Sequence, residues 1–430
     1  MRHFGSLYAQ IALSLCLAGA PAGCASAEAE RSVGVSLQGP GDVSVECMSM
    51  RERGVIAELI AEKAEEAGEK TYDLLLMPGD LLAIKLRERG GEKRSVREFQ
   101  YVFGGDEKTP LAFGLADHGA TLNGTLAFVD FTEKAAVEWL HGLAWEGGLP
   151  EAVAHVRSIR LPAGVADARE VLGRFAGRDV FVQLPQPAGG TTTQPAVPPT
   201  LAEPVAQALV AARPAGLFAP HMGAVEGVLG KLKGLTHLHT AGPKLPAVGK
   251  LPKLRELHFE FDCEEAPDLS ALARAEALRV LGLYDCPAAT DLTQLSRRRR
   301  LRGLVLGGEF GPLRSFAPFA GLGELRSLVI IGGDNLRDIS EAPKLGKLTQ
   351  LALFPLPDEV DLAPLKRMKH LKILAVPDES LEQRKAEYDE VREAVPDLQI
   401  VGICMGSAWV LLLLPAAGAA ALLRRRRRAA

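Results

Sequence analysis

The sequence predicts an α/β solenoid, a curved parallel sheet of 23–24-residue repeats preceded by a smaller α+β or α/β region. Three observations carry this. A pattern apolar-x-x-apolar-x-apolar recurs as Leu254/Leu257/Phe259, Leu278/Leu281/Leu283, Leu301/Leu304/Leu306, Leu325/Leu328/Ile330, Leu348/Leu351/Leu353 and Leu371/Leu374/Val376, its first positions 24, 23, 24, 23 and 23 residues apart. A second register keeps step with it: Asp268-Leu269, Asp291-Leu292, Ser315-Phe316, Asp338-Ile339 and Asp361-Leu362. No single unit of this size can bury its leucines, so neighbours must stack and share one core, each supplying a short strand and a turn or short helix.

In this pattern the repeats, roughly 232–402, resemble the leucine-rich repeat family in its bacterial form, where an Asp-Leu-x-x-Leu turn follows each strand. Leu235 and Leu238 give a degenerate first unit. Ser380 to Ala394 predicts an amphipathic helix, with Ser380 and Gln383 at capping-box spacing. Leu398-Gln399-Ile400 predicts a last strand, and the two elements together would cap the stack. Upstream, Val156/Ile159/Leu161 and Val182/Leu184 fit the same template, so degenerate repeats are expected over 151–231. Pro185 to Glu203 (PQPAGGTTTQPAVPPTLAE) interrupts them as a linker or as a loop inserted into a repeat. Residues 28–150 predict a separate mixed α/β domain. Its strands are Val33 to Leu37, Val43 to Cys47, Tyr72 to Met77 and Thr125 to Phe131; its helices are Glu52 to Ala67 and Glu133 to Ala144, the latter opened by Thr132 as N-cap.

The two ends read as addresses. Residues 1–27 have the charged, apolar, small-residue order of an export leader, ending at Ala25-Ser26-Ala27, with a competing lipoprotein-type cut at Cys24. Residues 402–423 are 22 positions without a charge, long enough to cross a membrane. Arg424 to Arg428 follow and would hold that end on the cytoplasmic side. The order of Cys404, apolar span and arginine cluster resembles the Cys-containing surface-sorting tails of myxobacteria. That resemblance implies processing near Cys404 by a sorting protease; a plain membrane anchor is the alternative. The expected location is the cell envelope or surface.

Composition narrows the function. Net charge is −3, and removing Arg2 and the five terminal arginines leaves a body of −9. An acidic body argues against nucleic acid as a partner. No nucleophile-elbow serine, phosphate-cradling loop or paired-histidine zinc helix is present. An enzyme is therefore not expected, and neither is a cofactor. His237, His239 and His258, with Glu256 beside them, can converge on a metal, but solvated histidines on an irregular repeat are the simpler reading and no metal is assigned. Cys263 and Cys286 fall on adjacent strands within disulfide reach, although buried free thiols are the expected state. Arg297 to Arg300 read as a solvated turn.

Between the leucines, side chains point to the concave face. Reading down the stack gives a basic first column (Arg255, Arg279, Arg302, Arg326, Thr349, Lys372) and a second column of Glu256, Val280, Gly303, Ser327, Gln350 and Ile373. The third is His258, Gly282, Val305, Val329, Ala352 and Ala375. Small and apolar residues at positions that should be wet predict a partner-binding face, and the basic column beside it favours an acidic partner. The expected function is a non-enzymatic, envelope-displayed protein that binds a protein, or an acidic polysaccharide, through this face. In the alternative, residues 28–150 carry an enzymatic or small-ligand activity and the repeats are scaffold.

Overall fold

The computed structural model describes residues 31–36, 43–52, 71–88, 96–145, 149–185, 200–262, 265–286, 290–308 and 313–403. The expected export leader, the helix from Glu52 beyond that turn residue, Cys263, Cys404 and the apolar tail lie outside these residues. The first strands are β1 (Arg31–Ser36), β2 (Val43–Ser49), β3 (Thr71–Leu76), β4 (Leu81–Glu88) and β5 (Val96–Val102). Next come β6 (Leu111–Ala116), β7 (Gly119–Leu122) and β8 (Thr125–Asp130), then β9 (Ser158–Arg160), β10 (Phe181–Gln183) and β11 (Gly216–Ala219). The regular repeats supply β12 (His237–Gly242), β13 (Glu256–Phe261), β14 (Val280–Cys286), β15 (Gly303–Gly308), β16 (Ser327–Ile331), β17 (Gln350–Phe354), β18 (Ile373–Pro377) and β19 (Gln399–Ile403).

Strands β8 through β19 pair in sequence order and in parallel, which makes the molecule a leucine-rich repeat solenoid of the α/β class. Register follows the repeat: Leu257, Leu281, Leu304, Leu328, Leu351 and Leu374 are successive partners. These leucines point to the convex side and join one continuous core. That core is closed by 3₁₀ turns, such as Leu269–Arg274 and Leu292–Arg297, whose Leu269/Leu272 and Leu292/Leu295 are buried. The aspartates of the second register open these turns. Asp268 Oδ1 accepts from Ser270 N at 2.8 Å, Asp291 Oδ1 from Thr293 N at 3.0 Å and Asp338 Oδ1 from Ser340 N at 2.7 Å, satisfying amide donors that a helix start leaves bare.

The sheet does not stop where the regular repeats fade. It continues through β7, β6, β1 and β3, giving 16 strands, so the boundary expected near residue 150 coincides with no break in it. Helices α1 (Lys134–Gly142), α2 (Val165–Arg174), α3 (Glu203–Ala212) and α4 (Glu226–Leu229) lie in this part beside the 3₁₀ turns Glu151–Val153 and Met222–Ala224. The strands flanking the Pro/Thr-rich stretch, β10 and β11, are parallel neighbours, so that stretch is an insertion within the array. At the far end α5 (Asp378–Gln383) and α6 (Lys385–Ala394) precede β19.

Two expected caps are corrected. The N-cap of α1 is Glu133, because the Thr132 hydroxyl bonds Asp130 Oδ1 at 2.7 Å instead. Ser380 lies inside α5, buried, its hydroxyl 2.9 Å from that of Tyr388.

Candidate functional site

A second, three-stranded antiparallel sheet, β2-β4-β5, lies against the concave face of the solenoid. It arrives there through two short connections, the 3₁₀ turn Met50–Glu52 that ends β2 and the Met77 to Asp80 turn between β3 and β4. Met50 and Leu81 pack with Phe181 of β10 and Phe218 of β11. Further along, the Met50–Glu52 turn reaches β14, β15 and β16.

Arg51 is the centre of this junction. Its side chain is 1% exposed and its Nη2 lies 3.3 Å from Asp80 Oδ2, the same oxygen that accepts from Met77 N at 2.8 Å. Its carbonyl accepts from Ser327 Oγ on β16 at 3.1 Å. A buried ion pair needs such additional bonds to offset the desolvation of both charges. The sheet makes room for it: a Cβ on Gly303 would lie 2.5 Å from Arg51 Cγ, so only glycine fits beneath the arginine.

Beside it sits a polar network on β12 to β14. His237 Nε2 donates to Gly79 O at 2.6 Å, joining the arm to the sheet. Glu256 Oε1 is 2.7 Å from His258 Nε2, and the other ring nitrogen of His258 is 2.9 Å from the Tyr284 hydroxyl. The Leu81 amide also donates to Glu256. Gly282, the β14 partner of His258, leaves the space that ring and the Tyr284 hydroxyl occupy.

His237 and Glu256 lie 3.8 Å apart and are both buried. Burial pushes the Glu256 carboxyl up to about 8 and the His237 imidazole down, so the pair holds one proton at neutral pH. The Thr236 hydroxyl donates to Ala215 O at 2.7 Å and lies 2.8 Å from His237 Nδ1, while Nε2–H serves Gly79 O.

The predicted concave residues therefore divide. Arg255 and Lys372 are exposed, and Arg279, Arg302, Arg326 and Ile373 half-buried. Glu256, His258, Val280, Val305 and Val329 are not open to a partner: each is at most 3% exposed. Val305 and Val329 cluster with Tyr284, Phe354, Ala352 and Ala375 on the inner face. Small and apolar residues stand there because the face is packed. The expectation of a wet concave surface is corrected at these positions, and solvated histidines likewise give way to buried ones. No group of three metal-ligating side chains occurs among the described residues. Arg51, Asp80 and the Met77 to Asp80 turn carried no sequence signal beyond the glycine and proline of that turn.

Parts of the chain align with solved structures. The Arabidopsis receptor kinase HAESA ectodomain, in complex with a peptide hormone, aligns over 52% of this chain and 34% of its own at 12% identity and TM-score 0.28. The plant peptide hormone receptor RGFR1 aligns over 59% and 48% at 11% identity and TM-score 0.27. A Leptospira interrogans leucine-rich repeat protein aligns over 63% of this chain and 99% of its own at 13% identity and TM-score 0.20. The chain thus spans less than half the length of either plant receptor. No family model and no curated protein matches the chain.

Proposed function

We propose that the chain is a non-enzymatic, envelope-displayed leucine-rich repeat scaffold that binds a protein, and that its concave face is kept for polypeptide. One observation supports this: the face already holds a polypeptide turn, its own, through Arg51, Gly79 and Leu81. A preformed solenoid face loses little ordering entropy on binding, and a resident arm makes access to it conditional. Export and display rest on the leader-like first 27 residues and the apolar segment before the arginine run.

The test is capture from envelope extracts by the full chain and by Asp80→Ala, which loosens the arm by removing the Arg51–Asp80 ion pair. Enrichment of the same protein by both baits, with higher yield on Asp80→Ala, supports the reading. Equal yield, or no specific enrichment by either, overturns it.

A further inference from the structure

The convex 3₁₀ turns open at an aspartate and close at a basic residue: Asp268 and Arg274 in one repeat, Asp291 and Arg297 in the next. These are the charge preferences of helix ends. In a parallel, in-register array the closing ends all stack along the edge where the strands begin. Backbone bonds from Arg279 N to Arg255 O and from Arg302 N to Arg279 O, both 2.7 Å, align that edge repeat by repeat.

Some of its basic side chains are structural. Arg298 reaches back to Leu272 O at 2.7 Å and Ala273 O at 3.0 Å, and Lys233 to Lys250 O at 3.1 Å, each closing the end of a neighbouring turn. Lys253, Arg274, Arg297, Arg299 and Arg300 do no such work. All five are exposed without an ion pair among the described residues, and the one carboxylate in their three stretches is Glu276. An acidic body thus carries, across three repeats, a cluster of cations with no ion pair among the described residues.

We propose that this edge binds a linear acidic polysaccharide. Arg274 and Arg297 close the turns of adjacent repeats, whose strands stand ~4.8 Å apart, about one sugar ring along a linear chain, so successive carboxylates can meet successive repeats. No aromatic residue stands among these positions to stack a nucleic-acid base. Nor is there an apolar wedge for a bilayer: among the described residues the exposed large hydrophobics are Leu149 and Val165, both far upstream in the chain. These cations close the convex turns, whereas the arm docks on the concave face, so this site stands whether or not the protein partner proposed above exists.

The probe is polygalacturonate, immobilised, with the full chain passed over it at low and at physiological salt. Wild type should be retained, more strongly at low salt. Arg297→Ser/Arg299→Ser/Arg300→Ser should bind about tenfold more weakly, the loss expected of three exposed ion contacts. Lys134→Ser/Arg169→Ser/Lys244→Ser, with the same change in net charge elsewhere on the surface, should bind as wild type. An unchanged unfolding midpoint separates loss of contact from loss of fold, and Arg299→Ser alone is read if the triple variant is unstable. Equal weakening in both triple variants, no retention of wild type, or tighter binding to single-stranded DNA would overturn the proposal.

Discussion

Replacing Gly303 by Ala should lift the arm from the solenoid while leaving the repeats folded. The new methyl would lie 2.5 Å from Arg51 Cγ and 3.2 Å from Cδ, against ~3.5–4.0 Å for a comfortable carbon contact. The arginine cannot swing aside, because its carbonyl is held by Ser327 and its guanidinium by Asp80. Overpacking of this kind costs about 1–3 kcal/mol, which raises the population of the undocked arm by about 5- to 150-fold. Hydrogen exchange followed by mass spectrometry reads this directly: peptides covering Met50 to Glu52 and Met77 to Leu82 should exchange faster by that factor, while β16 to β18 keep their protection. Gly323→Ala is the control, since a Cβ there meets nothing within 4 Å. Unchanged exchange in both arm segments would refute the docking geometry.

Replacing Leu281 by Ala, on a fully buried strand position, should destabilise the repeats by ~2–5 kcal/mol in urea denaturation; a loss well under ~1 kcal/mol would contradict its place in the core. Stability should also fall as pH rises from about 6.5 to about 8. The folded pair of His237 and Glu256 keeps one proton up to about 8, whereas the unfolded chain, titrating near 4.3 and 6.5, has shed it, a slope of up to ~1.4 kcal/mol per pH unit. Denaturation midpoints across that range check it, and a Glu256→Gln variant with the same slope as wild type would assign the effect elsewhere.

The regular repeats were legible because every unit repeats the same physical demand. A leucine displaced by one position would move to the concave side, so spacing alone sets strand, face and register from Leu254 to Val376. The aspartate register was equally plain, since each side chain acts on an amide two residues away. What failed were choices decided by distant or competing partners. Thr132 looks like a cap until Asp130 takes its hydroxyl, and Ser380 until Tyr388 does. Strands β4 to β7 passed unassigned, and with them the sheet that carries the arm. The contact that closes it, Ser327 to Arg51, joins residues 276 apart and leaves no periodic trace.

The concave columns show why the site itself was only half legible. Val305, Val329, Ala352 and Ala375 predicted an exposed apolar patch for a partner, and the structure buries all four. They could not say what covers it, because apolar surface is non-directional and accepts an intramolecular cover as readily as a partner. The direction comes from the polar minority. Glu256 and His237, placed on the same face, cannot be buried without donors and acceptors supplied from above. The structure supplies them from Leu81 N and Gly79 O, main-chain groups of this same chain. Any protein that competes for the face must either offer equivalent main-chain groups to these two side chains or leave them short of a buried hydrogen-bond partner, at a penalty of about 1–3 kcal/mol each. A successful competitor should therefore present a tight turn, with a free carbonyl and a free amide two residues apart, in place of the arm's own.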